Sequence, residues 1–337
     1  MAILAIDQGA TKTSALLGDA EGNIHSVGSG EGACHFFVGI PRALQCIDQA
    51  YQEAIRGLAP AKRAIEQVSA GLSGANWPDE VEALEAALNQ HFSVKDAKVA
   101  NDCIVALYGG TSASDAVVLC AGSGFNSAVR VGGKLVWVYN NYIEAFDGGG
   151  SGVAQRALVA VFRTDTCMGP ETSLRQRALA FFGYPDLLSL LLDYDRGRMR
   201  QPVKDFAYCV DEEAMKGDAV ALQVQHEFGV SVSRYVVAAI RRYRLHGKPM
   251  DVVLSGGAFK SKSQTMVDAV KSEVLKESSL ANVVNAQYEP VVGAYLMGLE
   301  QRYGWPLSDA LLANVERTAV EHGLIRMVGC SETNDYT

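Results

Sequence analysis

The feature that most constrains this chain is a meander of strands around a glycine turn that occurs twice. Residues Ala2 to Asp7 form an apolar run ending in the turn Gln8-Gly9-Ala10. A second run extends through Leu17, a polar turn covers Asp19 to Asn23, and a third run spans Ile24 to Val27. About 112 residues later the pattern recurs: Ala116 to Cys120, the turn Gly122-Ser123-Gly124, Asn126 to Val131, the turn Gly132-Gly133, and Leu135 to Tyr139. Two related halves are implied.

Each half continues with alternating helices and strands. The first carries a helical stretch at Pro41 to Leu58, a strand at Gln67 to Ala70 ending in Gly71-Leu72-Ser73-Gly74, an amphipathic helix at Pro78 to Phe92, and a short strand into Asn101-Asp102. After the second meander come helical segments at Val153 to Phe162, Glu171 to Phe182, Glu212 to Leu245 and Ser261 to Lys276, interrupted by the strand Asp251 to Leu254 and its turn Ser255-Gly256-Gly257. The expected class is mixed α/β with a helix-rich insertion. The polar loop near Thr111 to Asp115 sets the expected division, residues 1–114 and 115–329, with the tail after Gly329 frayed.

Composition narrows the function classes. The 337 residues are 48% hydrophobic and 20% charged, within the range of folded globular proteins and long enough for two domains. The net charge of -8 has the wrong sign for neutralising nucleic-acid phosphates or anionic lipid, so neither partner is expected. No apolar run approaches the roughly 18 residues of a membrane span, and the opening MAILAID has no cationic stretch. The seven cysteines, at 34, 46, 103, 120, 167, 209 and 330, include no Cys-x-x-Cys pair and read as reduced cytoplasmic thiols.

Three glycine turns follow apolar strands directly: Gly9-Ala10-Thr11-Lys12-Thr13 after Asp7, Gly122-Ser123-Gly124, and Gly256-Gly257. Phosphate binding needs backbone N–H groups brought close to the ligand, which glycine permits, while Ser and Thr hydroxyls add donors. Any one such turn is ordinary turn chemistry; three of them, two in repeated meanders, point to nucleotide. Neither GxxxxGK[ST] nor a strand-to-helix GxGxxG is present, and HExxH and GxSxG are absent too. Asp7 fits either turn chemistry or a Mg²⁺ contact. Asp102 fits either a helix N-cap or a general base. Lys12 fits a phosphate contact or a solvated side chain, and His35 a packed loop residue or a ligand contact.

The ordered set IDQGATKT (6–13), GLSG (71–74), AND (100–102), AGSGFNS (121–127), DGGGSG (147–152), VVLSGGAF (252–259) and EPVVGAYLMGL (289–299) resembles the BadF/BadG/BcrA/BcrD ATPase family, and within it the N-acetylglucosamine kinase-like proteins of the actin, sugar kinase and Hsp70 superfamily. The likeness covers roughly residues 2 to 303. It implies two lobes with duplicated ribonuclease H-like (actin-like ATPase) cores, and ATP and Mg²⁺ in the cleft between them. It also implies a small hydroxyl-bearing acceptor, with the helix near 290–303 able to pack back on the first lobe, and leaves a homodimer open.

Carried over residue by residue, the resemblance assigns Gly9 to Thr13 and Gly122 to Gly124 to the ATP phosphates, Gly256 and Gly257 to adenosine, Asp7 to Mg²⁺, and Asp102 to the general base. The acceptor side falls on Cys34, His35, Ser73, Asn101 and Asp147. Departures lie there: Cys34 stands where the amino-sugar kinases place an asparagine, and their acidic GDEGSG aligns with Asp147 to Gly152, turning both acidic positions into Gly148 and Gly149. The expected activity is an ATP-dependent small-molecule kinase acting on a sugar or sugar-like hydroxyl. The alternatives are an ATPase driving a conformational change in a partner protein and a ligand sensor without catalysis. The iron–sulfur activator ATPases of the family would need bridging cysteines, and the chain lacks close cysteine pairing.

Overall fold

The computed structural model describes residues 2–325, so the expectation for the tail after Gly329 lies outside the described residues. The opening meander is β1 (Ala2–Gln8), β2 (Lys12–Asp19) and β3 (Ile24–Glu31), followed by α1 (His35–Ala54), β4 (Ile65–Leu72), α2 (Pro78–Phe92), β5 (Ala97–Asn101) and α3 (Asp102–Gly110). The second meander is β6 (Ala116–Ala121), β7 (Phe125–Val131) and β8 (Lys134–Val138). A helical stretch follows: α4 (Gly150–Asp165), α5 (Leu174–Phe182), α6 (Leu187–Asp195), α7 (Phe206–Met215) and α8 (Ala219–Tyr243). The chain then runs through β9 (Met250–Ser255), α9 (Thr265–Glu277), β10 (Ala281–Asn285), α10 (Pro290–Tyr303) and α11 (Asp309–Glu321).

The strands form two five-stranded sheets, ordered β3-β2-β1-β4-β5 and β10-β9-β6-β7-β8. Read from the first strand of each meander the orders are the same, which is the duplication that the repeated sequence pattern implies. Two compact units result, residues 2–118, 130–136 and 284–325, and residues 119–129 and 137–283. The segment from residue 284, which includes the helix expected near 290–303, belongs with the first unit.

In the first unit β1 is buried on both faces, as expected for a central strand. Leu4 and Ile6 join Ile47, Ala50, Leu84 and Leu88 of α1 and α2 in one apolar cluster. Ile3 and Ala5 join Val105 of α3 and Val291, Val292 and Leu299 of α10 in another. Backbone contact between α3 and α10 is close enough that a Cβ on Gly293 would lie 1.8 Å from the Val105 carbonyl. Ser69 Oγ also donates to the Ala294 carbonyl at 2.6 Å.

In the second unit Val252 and Val253 of β9 are fully buried, and α8 crosses α9 at Gly229, where a Cβ would meet the Met266 carbonyl at 2.5 Å. The periodic stretch Glu212 to Leu245 is two helices rather than one. Asp218 breaks it, accepting the Ala221 N–H at 2.9 Å as the N-cap of α8. No helix among the described residues is long and apolar enough to cross a membrane.

Candidate active site

In the first unit β1 pairs in parallel with β4, and β4 with β5. The carboxyl ends of these three strands carry Asp7, Ser73 and Asp102, and strand carboxyl ends are where open α/β sheets bind ligands. The turn after β1 is closed by the Gly9 N–H donating to the Lys12 carbonyl at 2.9 Å, and the Gly9 carbonyl accepts the Ala33 N–H at 3.0 Å. Ala10, Thr11 and Lys12 are exposed. Gly32 lies under this turn, and a Cβ there would sit 2.3 Å from the Lys12 nitrogen. Asp7 is half-buried and lines a cavity of about 170 Å³ with Lys12, Ser14, Ser29, Glu53 and Glu289.

Thr13, expected at the phosphates, turns its side chain inward. It is fully buried, donates to the Glu31 carbonyl at 2.7 Å and accepts from Gln8 Nε2 at 3.2 Å. Gln8 also donates to the Ala43 carbonyl of α1 at 3.0 Å. These two side chains fix the turn to β3 and α1, and the residues of the turn left exposed are Ala10, Thr11 and Lys12.

The strand ends beyond Asp7 converge with the start of α1. Cys34 is the N-cap of α1 and His35 its first residue, and Gly74, at φ +86, packs so closely that a Cβ would lie 2.8 Å from Cys34 Sγ and 3.1 Å from His35 Cε1. The His35 side chain is 9% exposed and neither ring nitrogen makes a hydrogen bond; Nε2 is 4.0 Å from Glu80 Oε1. Glu80 Oε2 accepts the N–H groups of Asn76 and Trp77, both at 2.9 Å, and so holds the turn leading into α2.

Asn101, expected to contact the acceptor, is buried. Its Oδ1 caps α3 by accepting the Cys103 N–H at 3.0 Å, and its Nδ2 donates to Asn76 Oδ1 at 2.8 Å. Asp102 is thereby released from the cap role and becomes the first residue of α3, half-buried. Burial pushes its pKa from an ordinary 3.8 up to about 6, against backbone hydrogen bonds at Cys103 and Asp102 that pull it down.

In the second unit two of the glycine turns meet. Gly256, at φ +98, packs so that a Cβ would lie 2.3 Å from the Ala121 carbonyl, which sets Gly256 and Gly257 beside Gly122. The carbonyls of Gly122 and Ser123 accept the Gly150 N–H at 2.8 Å and the Ser151 N–H at 3.3 Å. In a trans peptide the N–H opposes the carbonyl, so the N–H groups of Ser123 and Gly124 point the other way. A Cβ on Gly122 or on Gly124 would meet nothing within 4 Å, and neither has a positive φ. Neither strain nor packing therefore requires glycine there; open space above the backbone is what a close ligand needs.

Asp147 does not reach this open surface. It is 0% exposed, and its carboxylate pairs with Arg156 at 3.2 Å and Arg234 at 3.3 Å and accepts from Tyr235 Oη at 3.1 Å. It organises the loop before α4, with its carboxylate, expected on the acceptor side, fully buried among these partners. Gly149, which aligns with an acidic position of the amino-sugar pattern, has φ +62, and a Cβ there would lie 2.1 Å from the Gly124 carbonyl. Lys204, which the sequence reading missed, donates through Nζ to Ser123 Oγ at 3.2 Å. It comes from the helical stretch, where no motif marks it.

Residues 4–298 match one family over nearly the whole chain. The chain belongs to the BadF/BadG/BcrA/BcrD ATPase family. No curated protein matches it. Among solved structures, a candidate N-acetylglucosamine kinase from Chromobacterium violaceum superposes with a TM-score of 0.67 at 19% identity, over 88% of this chain and 98% of that one. A candidate N-acetylglucosamine kinase from Porphyromonas gingivalis gives a TM-score of 0.64 at 17% identity, over 89% and 99%. A ROK family glucokinase from Streptomyces griseus, solved with glucose and AMPPNP, gives 0.61 at 17% identity, over 88% and 99%. At these identities the likeness establishes the fold alone, a mixed α/β build with a five-stranded sheet in each repeat.

Proposed function

We propose that this protein is an ATP-dependent small-molecule kinase that transfers the γ-phosphoryl group to a hydroxyl of a sugar or sugar-like acceptor. The observation that carries the reading is Asp102, a carboxylate at a strand end, relieved of capping by Asn101, with a pKa near 6. A base of that pKa is ionised at neutral pH yet basic enough to take a proton from an attacking hydroxyl. His35, with both ring nitrogens unbonded, and Cys34 and Ser73 beside it are the acceptor contacts in this reading.

Gly9 to Lys12 and Gly122 to Gly124 serve the ATP phosphates, Gly256 and Gly257 the adenosine, and Lys204 adds a cation at Ser123. Asp7 holds Mg²⁺ directly or through water. The donor set fits that ion: Asp7 is a half-buried carboxylate lining a cavity with Glu53 and Glu289, and Mg²⁺ is commonly held by one or two carboxylates together with substrate phosphates. When bound it neutralises charge on the phosphates; positioning the acceptor and receiving its proton fall to the protein.

A second reading, ATP hydrolysis coupled to a partner protein, is favoured by the buried state of Asp147 and by Gly149, which leave the acidic acceptor pair absent. Incubation with MgATP and a panel of amino sugars, neutral sugars and polyols, read by nucleotide consumption and product mass, separates the two. A phosphorylated product is expected; ADP formation without one in every case would replace the kinase by the partner-coupled ATPase.

A further inference from the structure

The helical part of the second unit contains a cavity of about 420 Å³, within the usual size range of small-molecule sites, that none of the roles above uses. Its walls come from α4, α8 and the loops beside them, and include Phe146, Arg156, Arg163, Met168, Val220 and Glu227. The floor is apolar, with Val220 buried. The charges at the mouth are of opposite sign and unpaired with each other. Arg163 makes no ion pair among the described residues, and Glu227 accepts from Gln223 Nε2 at 2.8 Å.

We propose that this cavity binds a small zwitterion with an apolar body, of the class of the apolar α-amino acids. The carboxylate faces Arg163, the ammonium faces Glu227, and the side chain lies on the apolar floor. A phosphate ester would need more than one uncommitted cation, and the Arg156 guanidinium is already held by Asp147, the Phe146 carbonyl and Ser231 Oγ. A neutral sugar would leave hydroxyls unpaired on the apolar floor.

The cavity wall is continuous with the glycine turn at 122–124. Arg156 and Phe146 form the wall and also fix Asp147, whose carbonyl accepts the Gly149 N–H at 2.8 Å. Gly150 and Ser151, next in the chain, hold the Gly122 and Ser123 carbonyls. Filling the cavity therefore stiffens the turn through packed and hydrogen-bonded groups of one unit.

Calorimetry on the full chain without nucleotide, titrated with leucine, methionine and phenylalanine, tests the site. Saturable binding is expected for at least one of them. Arg163→Gln and Glu227→Gln should each weaken it about tenfold, the loss of one charged contact, and Ala160→Phe, which fills the cavity, should abolish it. Hydrogen exchange in the segment carrying Gly122–Gly124 should slow when the amino acid is added. Absence of binding by all three amino acids overturns the site. Equal binding of hexanoate, or unchanged binding in both charge variants, overturns the zwitterion class. Unchanged exchange overturns the link to the turn. None of these readouts uses ATP, so a failed kinase assay leaves the inference standing.

Discussion

Asn101 caps the helix that Asp102 begins: Asn101 Oδ1 takes the Cys103 N–H at 3.0 Å, and the carboxylate one residue on belongs to the first turn rather than to the cap. The two adjacent residues should therefore respond oppositely to substitution. Asn101→Ala removes a cap and leaves Asn76 without its 2.8 Å donor, so it should cost about 1–2 kcal/mol of stability. Asp102→Asn should leave the fold and nucleotide binding intact and slow phosphoryl transfer about 10²- to 10⁴-fold. Denaturant melts and single-turnover rates on both variants check this. Near-parent turnover by Asp102→Asn would move the base elsewhere.

The raised pKa of Asp102 gives two pH signatures. With Asp102 as the proposed base, transfer requires its ionised form, so kcat/KM should fall as pH drops through about 6. Stability runs the other way. A folded-state pKa above the unfolded 3.8 means the fold favours the protonated carboxyl, so this contribution is fully present below pH 3.8 and is lost as pH rises through about 6. Asp102→Asn removes that loss. Its Tm should exceed the parent's at pH 8, and the difference should close by pH 4. A Tm difference independent of pH would show that Asp102 is not held in a desolvated site.

The sequence made the strand meanders and glycine turns legible because both are local: period-2 burial and turn chemistry are written within ten residues. What it hid was pairing at a distance. Asp147 sits in a glycine-rich segment that reads as a ligand loop, yet its partners Arg234 and Tyr235 lie on α8, far along the chain. Lys204 reaches Ser123 across 81 positions. Asn101 and Asp102 are both good cap residues, and adjacency gives no local means of deciding which one caps. Thr13 looks like a hydroxyl donor of the turn, but the alternation of β2 turns it into the core, where Gln8 and the Glu31 carbonyl take it.

Asp147→Ala should be among the more damaging substitutions in the second unit. It strands the largely buried Arg156 guanidinium and removes partners from Arg234 and Tyr235. Breaking such a buried pair from one side costs about 3–5 kcal/mol. Chemical denaturation of the purified variant measures it. A loss of acceptor affinity with unchanged stability would instead return Asp147 to the acceptor contacts.

Gly124 and Gly256 separate a glycine kept for a ligand from one kept for the fold. At Gly256 the backbone has φ +98 and a Cβ would lie 2.3 Å from the Ala121 carbonyl, so Gly256→Ala combines left-handed strain with a backbone clash and should cost more than about 1 kcal/mol. At Gly124 the φ is ordinary and a Cβ meets nothing within 4 Å, so Gly124→Ala should fold with near-parent Tm. If phosphates approach the N–H groups of Ser123 and Gly124, the added methyl obstructs them, and displacing even one charge-assisted hydrogen bond should weaken nucleotide binding about tenfold or more. Thermal melts and ATP titrations of the two variants read these effects independently. Parent-like ATP affinity in Gly124→Ala would remove this turn from the phosphate site, because the backbone would then have tolerated a side chain where the ligand is proposed to sit.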